Sequence, residues 1–350
     1  MMSATKSSDE HWLGPRLPLI GLYGLLIAAN LGAWAWAVVL FWDQPIYLGT
    51  ALLAYTLGLR HAVDADHIAA IDNVTRKLIQ EGRRPISVGF YFALGHSTVV
   101  AIAAAVIAVA TTELAGRFTD FKGVGEVVST LVSASFLFVI AFANLVILRS
   151  IWSTFQRVRR GGRYMNEDFD RLLDGRGFLV RVLRPMFRMV SRSWHMFPLG
   201  FLFGLGFGTA TEVTLLGISA TQVAHGVSIW SIMVFPALFA AGMSLIDTTD
   251  GILMLGAYNW AFVKPMRKLY YNLTITFVSV LIAFFIGGIE TLGLIGDRFG
   301  LSGWFWEAIA ALNDNFNGLG FAIIGLFVVA WILSIVIYRY HRLDDIELRG

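Results

Sequence analysis

The chain has 350 residues, of which 57% are apolar and only 15% are charged, and it contains no cysteine. Soluble domains carry about a quarter charged residues, so this balance excludes an ordinary soluble protein and predicts an all-α integral membrane protein. The lack of cysteine excludes disulfides and thiolate metal sites. The net charge of +3 does not indicate nucleic-acid binding, because the basic residues follow the membrane topology described below. The polar first sixteen residues predict that there is no cleaved secretory signal.

Eight segments are each long and apolar enough to cross a bilayer, which requires about 20 residues. They lie at about 18–42, 47–71, 86–112, 127–151, 197–223, 228–260, 269–296 and 318–339. The loop 152–196 separates the first four segments (18–151) from the last four (197–339) within a single domain of residues 1–350. This loop is rich in arginine and is predicted to lie on anionic lipid.

The distribution of basic residues predicts the orientation of these segments. Of the 27 lysines and arginines, 23 lie in the termini or in the loops after even-numbered segments. Only Arg117, Lys122 and Arg298 lie on the opposite side. By the positive-inside rule, both termini are cytoplasmic and the number of spans is even, in agreement with eight.

The second segment ends in RHAVDADHI, which places several ionisable side chains in an apolar helix. Such residues are costly in a bilayer and usually mark an ion or substrate pathway. On one continuous helix, His61, Asp64 and His67 share a face over about two turns, whereas Asp66 points elsewhere. Imidazoles together with carboxylates suit a divalent metal such as Ni, Co or Zn. Arg60 is the nearby cation that is predicted to neutralise a carboxylate.

Three further segments carry polar side chains, in FALGHSTVV, FGLGFGTATEV and GMSLIDTTDG. His96 lies in the third segment and is predicted to join the metal-binding residues of the second. Asp247 and Asp250 are three residues apart in the sixth segment, where a bound cation would relieve their repulsion. Asp72 is predicted to cap its helix at the membrane surface. The predicted pathway or coupling residues are Arg60, Ser97, Thr98, Thr209, Thr211, Glu212, Asp247 and Asp250.

Two rivals to a nickel or cobalt transporter remain open on the residues alone. One is a transporter of another divalent metal, such as Zn2+ or Mn2+; Mg2+ and Ca2+ are disfavoured because they prefer oxygen ligands alone. The other is an intramembrane metalloenzyme. Against an enzyme, the chain has no H-E-x-x-H motif, and only three of its seven histidines lie inside the segments. It also has no G-x-x-x-x-G-K-[ST] loop for ATP hydrolysis.

These stretches, in this order, resemble the signature motifs of the nickel/cobalt transporter (NiCoT) family of secondary transporters. RHAVDADHI contains the family's H-x4-D-H pattern at His61, Asp66 and His67. These three residues are predicted to hold the metal, with Asp64 and His96 as adjacent metal-binding residues. The chain is most similar to the high-affinity nickel permeases associated with bacterial hydrogenases. The resemblance implies that the protein is not an enzyme and that it takes up Ni2+, or Co2+, as its substrate across the bacterial cytoplasmic membrane. It further implies that no cofactor is tightly bound and that the metal is delivered to nickel enzymes such as hydrogenase or urease.

The chain departs from the family pattern at one position of the fifth segment. The family motif reads Asp-Thr-Ala-Thr-Glu, whereas this chain has Gly208 in place of the aspartate. A carboxylate one turn before Glu212 is therefore missing. We expect that restoring it would raise metal uptake.

Overall fold

Every regular element in the described part of the chain is a helix. The computed structural model describes residues 16–109, 112–159, 190–206, 210–224, 227–261 and 265–340. Its helices are α1 (Arg16–Phe41), α2 (Pro45–His61), α3 (Ala65–Gln80), α4 (Val88–Val109), α5 (Thr112–Arg159), α6 (Met196–Gly204), α7 (Ala210–Ala224), α8 (Ile229–Ile232), α9 (Val234–Ala261), α10 (Pro265–Phe299), α11 (Trp304–Asp314) and α12 (Phe316–Tyr340). A 3-10 turn, Ser193–His195, precedes α6. The predicted all-α fold class is confirmed.

Six helical stretches are long and apolar enough to span a membrane. They are Leu17–Phe41, Val88–Val109, Val124–Ser153, Ile229–Ala257, Tyr270–Phe299 and Phe316–Ser334. These stretches correspond to the first, third, fourth, sixth, seventh and eighth predicted segments. The second and fifth predicted segments are instead divided into shorter helices, α2 with α3 and α6 with α7.

The division of the second segment corrects the expectation of one helix through residues 47–71. The α2 helix ends at His61 and α3 begins at Ala65. Between them Asp64 adopts an extended conformation, with φ −64° and ψ 146°. Because α3 then runs through the interior, Asp72 is fully buried and accepts a hydrogen bond from Ser279 on α10 at 2.9 Å. The expectation that Asp72 caps a helix at the membrane surface is therefore wrong.

The α12 helix packs against the break in the second segment. The side-chain amide of Asn317 donates a hydrogen bond at 2.7 Å to the Arg60 carbonyl, which also accepts one from the Val63 N–H at 3.1 Å. Gly320 lies so close to Val63 that a Cβ at this glycine would overlap the Val63 carbonyl oxygen. The break is therefore in contact with a helix more than 250 residues away in sequence.

Glycines bring the helices around the break into backbone contact. A Cβ at Gly58 of α2 would overlap the backbone of Phe239 on α9. A Cβ at Gly89 of α4 would overlap the backbone of Asp247, also on α9. Small residues allow such close approach between helices in membranes. This packing holds α2, α4 and α9 together around their polar side chains.

Candidate metal-binding site

Three buried histidines converge from three helices. His61 ends α2, His67 lies in the first turn of α3, and His96 lies within α4. One ligand nitrogen from each of the three lies within 4.8 Å of the others, and no residue of the three is more than 3% exposed. On a continuous helix, His61 and His67 would be separated by about 9 Å along the axis. The break reduces the distance between their ring centroids to 4.7 Å. We call His61, His67 and His96 the histidine cluster.

Two carboxylates orient the histidine cluster. His61 Nδ1 is 2.7 Å from Asp64 Oδ2, and His67 Nδ1 is 3.3 Å from Asp247 Oδ2. Metal-binding histidines commonly donate the second ring N–H to a carboxylate. These partners assign the proton to Nδ1 of both rings and leave Nε2 as the metal-binding atom. In agreement, His67 Nε2 has no hydrogen-bond partner among the described residues.

Glu212 adds an oxygen to the three nitrogens. It lies in the first turn of α7, directly after the division of the fifth segment, and is 2% exposed. Its Oε1 atom is 2.9 Å from His96 Nε2 and 3.9 Å from His61 Nε2. His61 and His96 also approach each other, with their Nε2 atoms 2.9 Å apart. Three imidazoles and one carboxylate form a donor set that suits Ni2+, Co2+ or Zn2+.

The structure places Asp66 and Arg60 beside the cluster rather than in it. Both line the adjoining cavity. Asp66 has an Oδ1 atom without a hydrogen-bond partner in the described ranges, and it is not among the grouped metal-binding atoms. Arg60 is exposed and forms none of the ion pairs found in the described part of the chain.

The remaining predicted residues differ in their distance from the cluster. Thr211 places its hydroxyl 3.1 Å from His61 Nδ1. Thr98 is half-buried, and its hydroxyl donates a hydrogen bond to the Leu94 carbonyl of the same helix. Ser97 Oγ is buried, and Asp250 Oδ2 lies one turn beyond Asp247; neither atom has a hydrogen-bond partner within the described ranges. Gly208 and Thr209 lie outside the described residues.

A cavity of about 480 Å3 lies beside the cluster, because Asp64, Thr211 and Glu212, which contact the histidines, line it together with exposed residues. Among the described residues, seven carboxylates line it, against the single basic residue Arg60. The carboxylates at its buried end include Asp64, Glu212 and Glu290, whereas those at its exposed end are Glu126, Asp297 and Asp314. We call this space the acidic cavity.

Part of the acidic cavity comes from α5, α10 and α11, which were not predicted to contribute to the site. Ser129, Ser133 and Glu126 come from α5, and Glu290 and Asp297 from α10. Glu290 did carry a sequence signal, because it is an ionisable residue within an apolar segment. The exposed acids carried none, because acidic residues near the ends of helices are ordinary.

Residues 47–337 of the chain match the NicO family, described as high-affinity nickel-transport protein. The chain belongs to the NicO family. It is 64% identical over 336 residues to the high-affinity nickel transport protein of Cupriavidus necator, with 96% of each chain covered. It is 58% identical over 318 residues to the hydrogenase nickel incorporation protein HupN of Bradyrhizobium diazoefficiens, covering 91% of this chain and 83% of the relative.

A relative named for cobalt is also similar. The cobalt transport protein NhlF of Rhodococcus rhodochrous is 41% identical over 288 residues, with 81% of this chain and 80% of the relative covered. No solved structure matches the chain. Membership in NicO confirms the resemblance to nickel transporters, and confirms a transport protein rather than an enzyme. The family and the six apolar stretches together identify a multi-pass membrane protein.

Proposed function

We propose that this protein is a secondary transporter that takes up Ni2+ and binds it at the histidine cluster. The observation that carries the proposal is the convergence of three buried imidazoles, two of which are oriented by carboxylates. In a membrane interior such a group is costly unless it binds an ion. The names of the relatives from Cupriavidus and Bradyrhizobium support nickel as that ion.

The ion enters through the acidic cavity and is held by His61, His67 and His96, with Glu212 as a further ligand. Asp64 and Asp247 orient two of these rings. The C-terminal end of α2 carries a partial negative charge that favours a cation. Secondary transporters commonly bind ions where membrane helices are broken. The breaks after His61 and after Gly204 border this site.

The broken helices also bear on the number of spans. If α2 with the start of α3 forms one span, and α6 with α7 another, the chain crosses the membrane eight times. Both termini are then cytoplasmic, as the basic loops predict, and the acidic cavity opens to the outside. We assign the protein to the bacterial cytoplasmic membrane, where lipid surrounds the apolar faces. The name of the HupN relative supports delivery of the metal to a hydrogenase.

The membrane potential could supply the energy for this uptake. One charge moving through 100 mV gains about 2.3 kcal/mol. A divalent cation therefore gains about 4.6 kcal/mol, which corresponds to roughly three decades of accumulation.

Replacing a cluster histidine tests the proposed function. His67→Ala should abolish uptake of radiolabelled Ni2+ by cells, because it removes a ligand that no neighbouring residue replaces. His195→Ala is the matched control, since His195 lies in the turn before α6 and outside the cluster. It should leave uptake close to the wild-type rate. High-affinity uptake by His67→Ala, at a normal amount of membrane protein, would refute the assignment.

Cobalt is the second candidate substrate, because the similar protein from Rhodococcus is named for cobalt transport. Imidazole binds both metals, so the donor set does not separate them. Uptake of radiolabelled Ni2+ in the presence of excess Co2+, Zn2+ or Mn2+ discriminates the candidates. We expect Co2+ to compete most strongly and Mn2+, which prefers oxygen ligands, to compete least.

A further inference from the structure

Glu290 is a buried carboxylate that does not belong to the histidine cluster or to the carboxylates that orient it. It lies on α10, is 5% exposed and lines the acidic cavity. Its Oε1 atom accepts a hydrogen bond from the Ser133 hydroxyl at 2.8 Å. Its Oε2 atom is buried and has no hydrogen-bond partner among the described residues. A carboxylate oxygen left in this state is costly unless something binds it.

A second carboxylate oxygen in the same cavity is also without a partner. Asp66 lines the cavity, and its Oδ1 atom forms no hydrogen bond in the described part of the chain. Arg60 is the one basic residue among the described residues of the lining, and it is found in none of their ion pairs. Two residues that line the cavity therefore each have a buried carboxylate oxygen without a partner, in a lining with an excess of acidic side chains.

We propose that Glu290, with Asp66 and the Ser133 hydroxyl, forms a second binding site for the divalent cation, which the ion occupies before it reaches the histidine cluster. We call it the outer oxygen site. This inference rests on the proposed function, because it concerns the path of the same ion. It adds a residue of the seventh apolar segment to those that contact the ion.

The volume of the cavity fits an ion that has kept its water. Six waters occupy about 180 Å3 at about 30 Å3 each, which is less than the cavity volume of about 480 Å3. Carboxylate and hydroxyl oxygens hold hydrated divalent cations with little preference between metals. Nitrogen ligands first become available at the histidine cluster. The outer oxygen site therefore concentrates divalent cations, and the cluster selects the transition metal.

Two substitutions on α10 separate binding at Glu290 from the general charge of the cavity. Glu290→Gln keeps the size of the side chain and an oxygen for the Ser133 hydroxyl, but removes the charge. Asp297→Asn removes the same charge from the exposed end of the same cavity. We expect Glu290→Gln to raise the KM of Ni2+ uptake about tenfold or more. Asp297→Asn should raise it about threefold at most, because exposed charges are screened.

Uptake kinetics alone can overturn the proposal. Equal increases in KM for the two variants would mean that only the total charge of the cavity matters. A KM for Glu290→Gln within twofold of the wild-type value, at normal protein amounts, would also overturn it. Ser133→Ala tests whether Glu290 has only a structural role. If Glu290 serves only to join α10 to α5 through the Ser133 hydroxyl, Ser133→Ala should reduce the amount of protein in the membrane, whereas Glu290→Gln should not.

A binding measurement keeps the test independent of whether Glu290→Gln folds. The purified double variant with His61→Ala and His67→Ala should still bind one Ni2+ weakly in equilibrium dialysis, and excess Mg2+ should displace it. Adding Glu290→Gln should remove this binding, and adding Asp297→Asn should retain it. If the double variant binds no Ni2+ at millimolar concentration, the outer oxygen site does not exist.

The two proposals fail in different ways. If the wild-type protein transports no Ni2+, the proposed function fails. If the wild-type protein transports Ni2+ and His67→Ala does not, while Glu290→Gln behaves as the wild type, only the outer oxygen site fails.

Discussion

The two sides of the histidine cluster are built differently. On one side Asp64 and Glu212 face the acidic cavity, which reaches the surface. On the other side His67 contacts Asp247 and the ring of Phe92, both of which are fully buried. An ion can therefore approach from the cavity without any rearrangement of the packed side.

Beyond His67, the packed side continues as a polar network inside the helix bundle. Arg76 of α3 is 1% exposed and donates a hydrogen bond to Asn73 Oδ1 at 2.9 Å. The same oxygen accepts a hydrogen bond from Asn144 on α5 at 2.8 Å. Asp72, on the same stretch of α3, is held by Ser279 of α10. These contacts cross-link α3, α5 and α10.

The acidic cavity adjoins the side of the cluster that carries Asp64 and Glu212, whereas buried hydrogen bonds close the side that contains Arg76 and Asn73. Under the proposed function, we expect release of the ion to require the closed side to open. Three sets of substitutions test this asymmetry.

Thiol labelling tests whether the two sides of the histidine cluster differ in accessibility. Each introduced cysteine is the only one that can react, because the chain has no cysteine of its own. Asn313→Cys lies in the lining of the acidic cavity and should react with a membrane-impermeant maleimide in intact cells. Thr75→Cys, at a fully buried position of α3, should be protected in intact cells and in inside-out vesicles. The two substitutions should leave Ni2+ uptake measurable. Similar labelling at the two positions would contradict the asymmetry.

Removing the carboxylate on the packed side should reduce metal affinity strongly. Asp247→Asn weakens the partner that orients His67, and such changes cost about 10- to 100-fold in metal affinity or activity. The measurement is the KM of Ni2+ uptake. Asp250→Asn is a matched substitution one turn along α9, and it should have the smaller effect because no described hydrogen bond joins it to a histidine. Equal increases in KM for the two variants would contradict an orienting role for Asp247.

A carboxylate at position 208 should strengthen metal uptake. Gly208→Asp adds a charge four residues before Glu212 in the sequence, and we expect it to raise the apparent affinity for Ni2+ uptake, about tenfold at most. Gly208→Asn is the matched control, because it adds a side chain of the same size without the charge. Unchanged uptake by Gly208→Asp at a normal amount of protein would show that the departure from the family motif has no effect.

Several members of the site could be recognised from the sequence because ionisable side chains are rare in apolar segments. His61, His67, His96 and Glu212 stand out for this reason, and the structure brings them together. Glu290 is an equally ionisable residue in the seventh segment, but a single carboxylate gives no indication of which cavity it faces. The roles of Asp64 and Asp247 were not readable either, because an orienting carboxylate and a metal ligand have the same side chain.

Composition and hydropathy were sufficient to predict an all-helical chain with apolar stretches long enough for a membrane, because hydropathy and length are properties of each segment alone. They also indicated His61, His67 and His96 as candidate metal ligands, which the structure brings together. The break of the second segment after His61 is visible only in the folded chain, where Asn317 and Gly320 of a distant helix contact the broken end. The tertiary structure also decided that α5 and α10 complete the cavity, because their polar residues meet the site only through the packing between helices.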